Sequence, residues 1–231
     1  MIKENFDRVN DNIRKSADIA GRDVKDITLI AVSKTKPVEA LKEAYEAGAR
    51  DFGENKVQEI MEKKDKLPSD IRWHMIGHLQ TNKVKYIADM IYMIHSVDSY
   101  KLAAEISRHA VKAGRVIPIL IEVNVAGEES KFGVSVSSCL DLIKEVALLP
   151  GVRINGLMTI APYVDDPEEN RAYFAQLKQL SVDITTKNID NVDMSVLSMG
   201  MTGDYTVAIE EGTTYVRVGT GIFGERDYSH S

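Results

Sequence analysis

The chain has 231 residues, with 29 Lys and Arg against 35 Asp and Glu, 44% hydrophobic residues and a single cysteine, Cys139. That length suits one large domain or two small ones, the apolar content suits a full core, and together they exclude low-complexity disorder and collagen-like repeats. No apolar run approaches the roughly 18 residues of a membrane span. One cysteine excludes an internal disulfide framework, and an acidic balance without a basic run speaks against nucleic acid as the main partner. The N-terminal MIKENFDRVNDNIRK carries charges throughout and lacks the apolar segment of a signal peptide, so the expectation is a soluble cytoplasmic protein.

In chain order, residues 3–20 read as an amphipathic helix with Phe6, Val9, Ile13 and Ile19 among its apolar positions. ITLIAVS (27–33) is a continuous β-branched run, as expected of a strand buried on both faces. Pro37 opens the next helix and Gly48 closes it. The pattern then recurs. A short strand at 51–52 precedes a helix at 54–66, IRWHMI (71–76) a helix at 81–88, and MIYMIH (90–95) a helix at 98–113. VIPILIEVNV (116–125) precedes a helix at 136–148, VRINGLMT (152–159) one at 167–187, and DMSVLS (193–198) one at 203–210, before YVRVG (215–219) and a final turn at IFG. Eight strand-then-helix units of about 25 residues each predict a closed (β/α)8 TIM barrel with an extra N-terminal helix, one domain over 1–231. An open doubly wound sheet would carry glycines after its first strand, and AVSKTKP has none.

In such a barrel the C-terminal strand ends build the site. Lys34 closes the first, very apolar strand. Desolvation and the neighbouring Lys36 would both lower its pKa and prepare the amine for Schiff-base formation; the alternative is a strand-end lysine that reaches solvent, which is the expectation for Lys36. Ser198-Met199-Gly200 and Gly219-Thr220-Gly221 follow the seventh and eighth strands, where this fold often holds a phosphate; tight turns are the plainer explanation. Arg217, between Val216 and Val218, points either into the barrel or toward the helical shell. Together these groups suit pyridoxal 5'-phosphate (PLP), which presents an aldehyde, a phosphate and a ring nitrogen.

The segments AVSKTKP (31–37), FGENKVQE (52–59), WHMIGHLQ (73–80), VNVAGEESKFG (123–133), GLMTI (156–160), LSMGMTGDY (197–205) and VRVGTGIFGERDY (216–228) span nearly the whole chain. In these segments the chain resembles the pyridoxal-phosphate homeostasis proteins (the YggS/PROSC family), which share the alanine racemase N-terminal barrel. The resemblance implies that Lys34 forms the internal aldimine and that Ser198, Met199, Gly200, Gly219 and Thr220 bind the cofactor phosphate. It places Arg217 at the pyridine nitrogen, Asn55, Ile76 and His78 around the ring, and Lys131 near the mouth. Lys56 stands where the family usually has Tyr, which puts a rim contact in question.

The implied role is buffering and delivery of PLP rather than catalysis. An arginine at the ring nitrogen makes a weak electron sink, and the spacing of the tyrosines gives no support for a catalytic one. The alternatives are a weak PLP-dependent amino-acid racemase and a cofactor-free Schiff-base lyase. Partners implied are PLP itself and, transiently, PLP-dependent enzymes, with the chain a monomer. Elsewhere, Cys139 reads as core beside Leu142, Ile143 and Val146. His74 and His78 straddle a strand end and make a poor metal pair, and His95 closes the fourth strand, either reaching the mouth or buried. Trp73 and Tyr92 read as packing.

Overall fold

The computed structural model describes residues 1–128 and 132–225. Eight parallel strands close into a barrel: β1 (Thr28–Val32), β2 (Asp51–Glu54), β3 (Arg72–Met75), β4 (Met93–Val97), β5 (Ile117–Asn124), β7 (Val152–Met158), β8 (Val192–Ser198) and β9 (Tyr215–Val218). β1 sits between β2 and β9, and β4 pairs with β5 to complete the ring. A two-residue strand outside the sequence expectation, β6 (Val134–Ser135), pairs with the end of β5.

Alternation along the strands divides the core in two. Ile119, Ile121, Leu157 and Leu197 join the large cluster under the helices, whereas Met93, Leu120, Met158 and Val196 pack together inside the barrel with Tyr215 against them. Gly53 also faces inward, where a Cβ would lie 2.8 Å from Ile30 and 2.9 Å from Ile76. Only glycine lets those two isoleucines meet there.

The connecting helices are α2 (Val38–Glu46), α3 (Val57–Lys63), α4 (Tyr100–Lys112), α5 (Val136–Val146), α6 (Arg171–Thr185), α7 (Tyr205–Glu210) and α8 (Thr220–Phe223). The extra N-terminal helix, α1 (Ile2–Ile19), packs on α2, α7 and α8 through Phe6, Val9, Ile13 and Ala17. Ile19, expected on that apolar face, is 77% exposed, because the stripe ends at Ser16 and Ala17. The expected helix at 81–88 is a 3-10 helix over Thr81–Tyr86. Leu79, Val84, Ile87 and Ile91 must all reach the core within this short span, and Arg115 satisfies the carbonyls of Ala88 and Ile91 that follow. β4 begins three residues later than expected, since Ile91 packs into the cluster under the helices and pairing with β3 starts as Tyr92 donates to Trp73 O. Tyr92 itself is 40% exposed, and Trp73 is buried beside Phe52.

Candidate cofactor site

Five strand ends bring the expected residues to one mouth: Lys34 beyond β1, Asn55 beyond β2, Ile76 and His78 beyond β3, Ser198 ending β8, and Arg217 within β9. Lys34 is half-buried. Arg217 points into the barrel and is 4% exposed. Its Nη1 donates to Ser198 Oγ (2.5 Å) and its Nη2 to Thr159 O (2.8 Å). Burial pulls the guanidinium down to about 10 against the opposing pull of Glu122 and Asp204, so it stays charged at neutral pH.

Beneath Arg217 runs a dry relay that the sequence did not reveal. Ser198 Oγ lies 2.9 Å from His95 Nδ1, His95 Nε2 lies 2.9 Å from His74 Nδ1, and His74 Nε2 lies 3.0 Å from Asp51 Oδ1. Arg72 grips both oxygens of Asp51 (2.7 and 2.5 Å). Burial pushes the Asp51 carboxyl up, but hydrogen bonds from Arg72 and His74 outweigh it and hold it below its ordinary range. Burial keeps His74 low despite Asp51, and it holds His95 well below the usual histidine range, helped by His74 and Arg217.

With both rings neutral and Asp51 ionised, hydrogen-bond logic assigns each proton. His74 donates to Asp51, His95 donates to His74, the Ser198 hydroxyl donates to His95, and Arg217 donates to Ser198. Every bond runs the same way, from the mouth to the opposite end of the barrel. His95, expected to close its strand, is therefore an interior residue of this chain.

The two glycine turns have a built shape. Gly200 has φ +88°, and a Cβ there would lie 2.7 Å from Ala208 Cβ and 2.9 Å from Tyr205 Cα. Asp204 holds the turn by accepting from Met201 N–H (2.7 Å) and Asn170 Nδ2 (2.8 Å). Gly221 N–H donates to Thr202 Oγ1 (3.3 Å), which lays this turn against the start of α8, where Gly219 and Thr220 stand. Amides in a first helical turn lack intrahelical partners and suit an anion. The Ser198 hydroxyl is turned away into the relay, and Met199 donates its N–H to Tyr215 O (3.2 Å).

Asn55 and His78 line a groove of about 670 Å³ with Lys56 and Lys83, and Ile76 packs inward beside Gly53. The His78 ring stacks on Phe132 with centroids 4.1 Å apart. Lys131 lies outside the described residues. Lys36, expected in solvent, donates instead to the carbonyls of Phe223, Gly224 and Glu225 (3.1, 3.1 and 2.8 Å), at and just past the C-terminal end of α8. Also unforeseen is Glu122, a carboxyl inside the barrel that burial and Asp98 push up to about 7. Among the described residues no His, Cys, Asp and Glu cluster has the geometry to hold a metal ion. The donor set, one amine, one guanidinium and two glycine turns of which one has no room for a Cβ, fits PLP.

Fold and site together define a PLP barrel of the alanine racemase N-terminal class, and the family model described as "Alanine racemase, N-terminal domain" matches residues 5–227. A pyridoxal phosphate homeostasis protein of Aquifex aeolicus is 46% identical over 226 residues, covering 97% of this chain and 98% of that one. A crystal structure of an unknown protein from Bifidobacterium adolescentis superposes with a TM-score of 0.91 at 36% identity, over 96% of this chain and 94% of that one. PipY of Synechococcus elongatus, solved with PLP bound, does so with a TM-score of 0.82 at 34% identity, over 97% and 100%. The chain belongs to the pyridoxal phosphate homeostasis protein family.

Proposed function

We propose that this protein binds PLP reversibly and serves intracellular PLP homeostasis, buffering and delivering the cofactor from a single domain over residues 1–231. The observation that carries this is the convergence of Lys34, Arg217 and two glycine turns at one barrel mouth. When bound, the cofactor supplies an aldehyde. Lys34 would hold the cofactor through that aldehyde, and because an amine–aldehyde link is reversible in water, one lysine would serve both retention and release. Gly200, Gly219 and Thr220 would cradle the phosphate, while Ser198 and Met199, whose hydroxyl and amide are engaged with His95 and Tyr215, shape the turn behind them. Asn55, Ile76 and His78 flank the ring.

Arg217, pinned by Ser198 and Thr159, would meet the ring nitrogen and, being charged, would disfavour a proton there, which would suit holding the cofactor rather than carbanion chemistry. We take the protein to be a cytoplasmic monomer that meets PLP-dependent enzymes transiently; no helix among the described residues is long and apolar enough to cross a membrane. Purified protein incubated with PLP should show a visible absorption band, and borohydride should fix the vitamer to Lys34 on peptide mapping. Absence of the band, or fixation at Lys36 or Lys131, overturns the assignment.

A further inference from the structure

Between the C-terminal ends of β1 and β2 and helix α3 lies a buried charge cluster, on the helix-facing side of the strands. Lys63, 5% exposed, donates to Glu54 Oε1 (2.8 Å), Glu59 Oε2 (2.8 Å) and Ser33 O (3.0 Å), so each ammonium proton has an acceptor. The carboxylates reach further. Glu54 Oε1 also accepts from Ser33 Oγ (2.7 Å), and Glu59 Oε2 accepts from Thr35 N–H (2.7 Å).

These contacts bracket one residue. Ser33 is held by its hydroxyl and its carbonyl, Thr35 by its amide, and Lys34 stands between them. Thr35 has φ +64°, a conformation a β-branched residue rarely adopts unless its surroundings hold it there. The bond to Glu59 supplies that hold. A buried ion cluster contributes little net stability compared with apolar packing, so its place beside this turn calls for another reason.

We propose that Lys63, Glu54 and Glu59 are positioning residues for Lys34: they fix the residue on each side of it and so set how its amine leaves β1 and how readily it reacts. The proposal rests on the assignment of Lys34 above. None of the three residues is assigned a contact with the cofactor.

The test uses full-length, cofactor-free protein and limiting acetic anhydride, with acetylation of Lys34 followed across pH by peptide mass mapping. Glu59→Ala is the decisive variant, because this side chain is 17% exposed and its loss frees Thr35 N–H without opening the core. Glu59→Ala should change the Lys34 acetylation rate by about ten-fold and displace its pH profile, since small misplacements of a reacting group carry large rate effects. Glu59→Gln, which keeps an acceptor for Thr35, should stay near the parent, and Lys63→Met should behave like Glu59→Ala. A Glu59→Ala protein with native circular dichroism and the parent's rate and pH profile overturns the proposal. Borohydride fixation of the vitamer on the parent protein is read separately, so failure of the cofactor assignment is distinguishable from failure of the positioning cluster.

Discussion

His95 Nε2 donates to His74 Nδ1 across 2.9 Å in a region from which solvent is excluded, and that one bond links the two ends of the barrel. It exists in this sense only while His74 is neutral. A proton added to His74 would reverse it, reverse the next bond, and leave the Ser198 hydroxyl without its acceptor beneath Arg217.

Stability should therefore depend on acid through His95. The folded ring stays neutral well below the ordinary histidine value of 6.5, while the unfolded chain takes up a proton there, so this contribution is present above 6.5 and lost as pH falls. Glu54 and Glu122, pushed up to about 6 and 7, act with the opposite sign in both parent and variant and cancel from their difference. The stability gap between parent and His95→Gln, measured by urea denaturation, should narrow by up to about 1.4 kcal/mol per pH unit below 6.5. A gap independent of pH would show that the folded histidine titrates normally.

Ser198→Ala strips an acceptor from the Arg217 guanidinium and a donor from His95 at once. Two buried polar groups lose partners, for which about 2–4 kcal/mol is expected. Ser198→Thr, which keeps the hydroxyl, should lose less in the same urea titration, and equal losses would point to packing instead.

Gly200→Ala forces a Cβ into Ala208 and Tyr205 at a φ that L-residues avoid. Thermal melting should register a destabilisation of about 1–3 kcal/mol, and equilibrium dialysis with PLP should show weaker retention. Unchanged dialysis in a folded variant would remove this turn from the phosphate site.

Burial pushes the Cys139 thiol up to about 12. At pH 8 the native protein should resist an aromatic disulfide reagent, and unfolding in guanidinium should release one reactive thiol per chain. Rapid native labelling would contradict the packing of α5.

The barrel was legible because continuous β-branched runs such as ITLIAVS have no other economical reading, and glycines cluster after the last two strands. β4 was read three residues early because Ile91 looks like strand yet packs under the helices. The relay was illegible for a different reason. Asp51, His74, His95, Ser198 and Arg217 come one from each of five strands, far apart in the sequence. No local spacing marks them; only closure of the ring brings them together. The cluster behind Lys34 was hidden likewise, since nothing in the sequence sets Lys63 and Glu59 apart from the charged residues around them.

Lys36 holds three carbonyls of residues 223–225 while sitting two positions from Lys34. The final helical turn and the first strand are thereby laced into one mechanical piece. Displacing Phe223–Glu225 would strip the Lys36 ammonium of three acceptors and loosen the chain two residues from Lys34.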